Sequence, residues 1–125
     1  MRAGAVGTRG VAHLRALLGI ARANAAAPGL VELYAVLSAE AGDPEHPAHD
    51  FFVRRYARLR AELTTAFRQA ADEGRLRPGV EPARAAVLLV ACWDGLQVQW
   101  LHDRGAVDMA AALEDAVRLL VDLPA

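Results

Sequence analysis

Apolar residues recur at three- and four-residue spacing along almost the whole chain, and no stretch alternates as a half-buried strand would. The first such segment, about Thr8 to Ala26, sets Val11, Leu14, Leu18 and Ala21 on one face with Leu17 beside them. It breaks at Ala27-Pro28-Gly29. The second carries Leu30, Leu33, Tyr34, Leu37 and Ala41 at helical spacing. Gly42 is expected to end it in a left-handed conformation, and Pro44 to block its continuation. A polar connection then leads into the longest helix, about Ala48 to Glu73, which at 1.5 Å per residue reaches roughly 39 Å. Its apolar stripe is Phe52, Tyr56, Leu59, Leu63, Phe67 and Ala70, with Arg54, Arg55, Arg58, Glu62 and Arg68 on the other side. Gly74 closes it.

The fourth helix is predicted over Pro82 to His102, with the proline in the first turn, where its missing N–H costs nothing. It differs from the others in having two apolar faces. Leu88, Ala91, Cys92, Gly95, Val98 and Gln99 share one; Ala86, Leu89, Val90, Trp93, Gln97, Trp100 and Leu101 share the other. A helix that is apolar all round is buried all round. In so short a chain, one side can meet the domain's own core while the other meets a second copy. Asp108 is placed to cap a fifth helix, Met109 to about Leu123, striped by Met109, Ala112, Leu113, Ala116 and Leu120, with Val117 and Val121 at its edge. The fold class expected is therefore all-α, an antiparallel bundle of about five helices. Residues 1–10 read as an N-terminal lead containing Gly4, Gly7 and Gly10, and 11–125 as a single domain.

Length and charge narrow the function. With 125 residues there is room for one domain but not comfortably for two. A net charge of −1 leaves no positive excess to hold a phosphate backbone, so specific duplex DNA binding by this chain alone is not expected. The longest apolar run, Ala85 to Trp93, falls far short of the roughly 20 residues of a spanning helix. No signal-peptide pattern is read at the N-terminus. A cytoplasmic location with no membrane association is the expectation. The single cysteine, Cys92, sits in that apolar run and reads as a small reduced hydrophobe.

Candidate chemistry is sparse. His46, His49 and Asp50 lie in a proline-rich connection without a second ligand cluster, so solvation or capping is preferred to a metal site. Cys92 has no base near it in sequence, Ser38 has no nucleophile elbow, and no glycine-rich phosphate loop follows a strand. No catalytic residue and no cofactor are assigned, and an enzyme is not expected. Arg54, Arg55, Arg58 and Arg60 are better explained as a solvated helix face than as a nucleic-acid patch, since Glu62 lies within reach of Arg58. Aromatic placement says more. Tyr34, Phe51, Phe52, Tyr56, Phe67, Trp93 and Trp100 all fall on helices, either as core or as walls of a cavity that Gln97, Asp94 and the tyrosine hydroxyls would furnish with polar groups. Gln97 interrupts the Trp93–Trp100 face, and a buried amide needs partners.

The stretch Ala91 to Asp103 (ACWDGLQVQWLHD), followed by Val107 to Leu113 (VDMAAAL), resembles the last two helices of TetR-family transcriptional repressors. Pro28 to Ala41, His46 to Tyr56 and the connection Glu73 to Pro82 are similar to earlier parts of the same regulatory domain. The resemblance runs from about Val11 to Leu123. Residues 1–10 are too few for the helix-turn-helix region with which family members begin, so DNA would be reached only through an N-terminal domain missing from this chain. What the resemblance implies is the dimerising, effector-binding half of such a repressor. A homodimer through the last two helices would use Leu88, Ala91, Gly95, Val98, Ala112, Ala116 and Leu120. A small hydrophobic or aromatic effector would lie among Tyr34, Phe52, Tyr56, Trp93 and Gln97, between the second, third and fourth helices. The alternative is a stand-alone helical interaction module that forms mixed dimers with a full-length regulator.

Overall fold

The computed structural model describes residues 7–124, which form five α-helices: α1 (Gly10–Ala25), α2 (Pro28–Glu40), α3 (His49–Asp72), α4 (Pro82–His102) and α5 (Met109–Leu120). The domain is all-α. Among the described residues the one β pairing is an isolated antiparallel bridge between Leu76 and Val121.

Most helix ends obey local chemistry. Pro28 and Pro82 occupy first turns, Glu81 accepts from the Ala83 N–H at 2.7 Å, and Asp108 accepts from Ala111 at 3.0 Å. Gly74, at φ +73°, ends α3 in the left-handed region, and Arg75 N–H returns to the Ala70 carbonyl. Gly42 does not play that part. It stays out of the left-handed region, and α2 ends instead on N–H bonds from Ala41 to Leu37 and from Gly42 to Ala39, ahead of the Pro44 turn. The start of α1 has no side-chain cap of its own. Gln69, in the last turn of α3, and Glu73, the residue that follows the helix, accept from the N–H groups of Gly10 and Val11. Gly10 is buried there at φ +56°, and a Cβ on it would collide with the Glu73 carboxylate. That glycine, read in sequence as part of a loose lead, is a docking point. Gly4 lies outside the described residues.

The main core is made by α1, α3, α4 and α5. Leu14 and Leu18 meet Leu63, Phe67 and Ala70, closed by Ala86, Leu89, Leu113 and Val117. Val117 and Val121 are central, not marginal as their spacing suggests. On α5 the fully buried line is Met109, Leu113 and Val117, four residues apart. That helix also stops three residues early, because Arg77 N–H bonds the Leu120 carbonyl and Asp122 N–H bonds Arg75. The tail thus lies along the α3–α4 connection and buries Leu123.

α2 is the exception. Its stripe does not enter the core: Leu30 is 70% exposed and Leu33 63%. Val31 alone is buried along its length, in a satellite cluster with Trp100 and Met109. The helix stands off from the bundle and leaves an open groove beneath it.

Candidate functional site

That groove leads into a cavity of about 470 Å³. Its size lies within the range typical of small-molecule sites. Its walls come from four helices, not the three expected: α1 adds Leu17, Ile20, His13 and Asn24. α2 contributes Leu33, Tyr34 and Leu37, α3 contributes Phe52, Arg55, Leu59 and Glu62, and α4 contributes Val90, Trp93, Asp94 and Gln97. The cavity exists because α2 is held only through Val31 and through Tyr34, which meets Phe52 and Arg55, while α3 and α4 are packed along their lengths.

Of the sequence-predicted ligand residues, Tyr34, Phe52, Trp93 and Gln97 line this space. Tyr56 does not. It lies behind the wall and donates its hydroxyl to Asp94 Oδ2 at 2.6 Å. Phe52 packs edge-on against Tyr34 and Phe51, which fixes the α2–α3 corner. Gln97 is 6% exposed and has no hydrogen-bond partner among the described residues; its amide reaches the cavity.

Three charged side chains line the cavity, Arg55, Glu62 and Asp94, and two of them are bonded to tyrosines. Burial pushes the Asp94 carboxyl above the usual carboxylate range, opposed by the Tyr56 hydroxyl that donates to it and by the nearby Arg55 charge. Tyr56 is itself raised well above an ordinary phenol, by burial first and then by its bond to Asp94 and that group's charge. Arg55 donates from Nε to the Tyr34 hydroxyl at 2.9 Å, with its guanidinium carbon 5.2 Å from the centre of that ring. This corrects the reading of the whole arginine run as a solvated face. Arg54, Arg58 and Arg60 are exposed, while Arg55 is half-buried and lines the cavity. Glu62 lines it too. The signal was present in sequence: Arg55, Leu59 and Glu62 share a face at four- and three-residue steps.

The second predicted surface lies on the far side of α4. Leu88, Ala91, Gly95 and Val98 are all exposed there, together with Val87 and Cys92. Cys92 therefore faces outward instead of filling the core. A Cβ on Gly95 would meet nothing within 4 Å. On α5, Ala112, Ala116 and Leu120 are half-buried, and Leu119, missed in sequence, is 79% exposed.

The histidines of the α2–α3 connection make local bonds. His46 Nδ1 accepts from Ala48 N–H, and His49 Nδ1 lies 2.8 Å from the Ala41 carbonyl. No group of His, Cys, Asp and Glu able to hold a metal is found among the described residues.

A model of the BetI-type transcriptional repressor C-terminal domain matches residues 45–124, more than half the chain. The chain belongs to that family. No curated protein and no solved structure matches it. The match begins just before α3 and takes in α4 and α5 whole, so this BetI-type domain owes its family character to the three helices that include both faces of α4. Helices α1 and α2, which supply the remaining walls of the cavity, lie outside the matched residues. No helix of the described residues is long and apolar enough to cross a membrane.

Proposed function

We propose that this BetI-type domain is the ligand-sensing and dimerising part of a TetR-like repressor. The observation that carries the reading is the cavity of about 470 Å³, bounded by four helices and holding four of the five side chains singled out from sequence. A bundle with no use for the space would close it, because interiors otherwise pack as densely as organic crystals. The apolar outer face of α4 supports the second half. Val87, Leu88 and Val98 stand in water beside small residues that permit close approach of a second helix, and C2 pairing through one such patch is the commonest soluble assembly. In this reading contact with DNA is the task of a separate helix-turn-helix region.

Nile red titration together with sedimentation tests it. The domain is expected to bind the neutral dye saturably, to lose that binding in Leu37→Glu, and to sediment as a dimer at tens of micromolar. A folded monomer with no saturable dye site overturns the reading. A dimer without a dye site favours a pure interaction module.

A further inference from the structure

The polar groups of the cavity divide sharply by whether their capacity is already used. Asp94 has one oxygen on the Tyr56 hydroxyl, and the ring of Tyr34 has the Arg55 guanidinium against it. That carboxylate oxygen and that ring are thus engaged, the second carboxylate of the lining, Glu62, has a partner too, and Arg55 would repel a cation. What is left over is donors. Arg55 makes one hydrogen bond, from Nε, and its two terminal nitrogens have no hydrogen-bond acceptor or carboxylate partner among the described residues. Asp94 is near enough to feel the Arg55 charge, yet no ion pair within 4.0 Å joins them. Gln97, a residue only 6% exposed, lines the same cavity, and its amide is open to that space and bonded to no other described side chain.

A guanidinium is always charged and presents its N–H groups as a planar fork that fits a carboxylate. Among the described residues no buried side-chain nitrogen or oxygen lacks a partner, so the free nitrogens of Arg55 stand open to the groove, where a charge-assisted bond is about twice as strong as a neutral one. The rest of the surface, from Leu17, Ile20, Leu33, Leu37, Phe51 and Trp93, is hydrocarbon. We propose that the cavity takes an amphipathic monocarboxylate, its carboxylate on the free nitrogens of Arg55 with Gln97 donating beside it, and its apolar tail along the groove under α2. One negative charge matches the one arginine of the described lining. A phosphate dianion would bring a second charge among Asp94 and Glu62, with no second arginine or lysine among the described lining residues.

This inference rests on the cavity being a ligand site, and the experiment separates the two. Decanoate, decanol and decyltrimethylammonium share a tail and differ in head group; each is titrated below its micellar concentration and followed by calorimetry and Trp93 fluorescence. Decanoate is expected to bind at least about tenfold more tightly than either of the others, the scale of one charge-assisted bidentate contact. Arg55→Met, which keeps the stem but not the fork, should remove that preference while decanol binding persists. Arg55→Lys should restore part of it. Binding of all three probes with equal affinity, or an unchanged preference in Arg55→Met, overturns the carboxylate assignment and leaves the cavity reading standing. Binding of none of them overturns both.

Discussion

Phe67 and Trp93 are both large aromatic residues of the α3–α4 layer, but they stand in different surroundings. Phe67 is fully enclosed, whereas Trp93 is half-buried with one side on the cavity. Truncation of an enclosed aromatic costs about 3–5 kcal/mol, and Phe67→Ala should fall in that range. Trp93→Ala enlarges a space that is already there and should cost less, below about 3 kcal/mol by urea unfolding. Asp94 makes a prediction of a different kind. Burial raises its folded pKa above the ordinary 3.8, so the folded state holds that proton more tightly than the unfolded chain. Its contribution to stability is whole below that value, declines as pH rises through the window, and is gone above the folded pKa. Wild type should therefore lose more stability than Asp94→Asn between about pH 4 and pH 7, read from denaturant midpoints at each pH. Gln97 and Trp93 were legible in sequence because an amide among aromatics is conspicuous. Arg55 was less so, since a run of arginines looks solvated by composition, and only its four-residue step to Leu59 marks the one that turns inward.

Helix termini show how far local chemistry reaches. Pro82 and Asp108 mark the starts of their helices in the sequence itself, as a proline that needs no N–H and a carboxylate that accepts one. The start of α1 carries no such mark, because its caps, Gln69 and Glu73, come from more than fifty residues away. Glu73→Ala should therefore cost roughly 0.5–2 kcal/mol, a normal cap value, despite its position outside α1. Thermal unfolding of that variant beside Asp72→Ala, its exposed neighbour, checks the expectation. α2 illustrates the opposite failure. Periodicity states which residues share a face and not what that face meets, so Leu30, Leu33 and Leu37 read as core. Their surroundings are a cavity and water, and Val31 is the one buried residue of the helix, with Tyr34 braced on Phe52 and Arg55. A helix so attached opens at low free energy, independently of the bundle. Its amides should exchange with solvent well before those of α3, and Val31→Ala should widen that gap without changing the exchange of Leu63 or Phe67.

At the level of the whole molecule, the surface matters as much as the core. Gly95 sits mid-helix on the outer face of α4 with open space before it, so a larger side chain there strains nothing within the chain. Gly95→Trp should leave the helicity of the chain intact, and its unfolding should match that of wild type diluted below the pairing concentration. The same substitution should abolish self-association in sedimentation by keeping two copies of α4 apart. The alternation of faces that allows this also binds two events together. Trp93, Asp94 and Gln97 look into the cavity, while Ala91, Gly95 and Val98, interleaved with them within two turns, look outward. One rigid rod holds both sets, so a tilt or rotation that suits an occupant necessarily moves the outer surface. Free energy is a function of state, and the exchange is reciprocal. Whatever factor an occupant applies to pairing, pairing must apply to the occupant's affinity. On the function proposed above, the tightness of binding in this cavity is expected to depend on protein concentration.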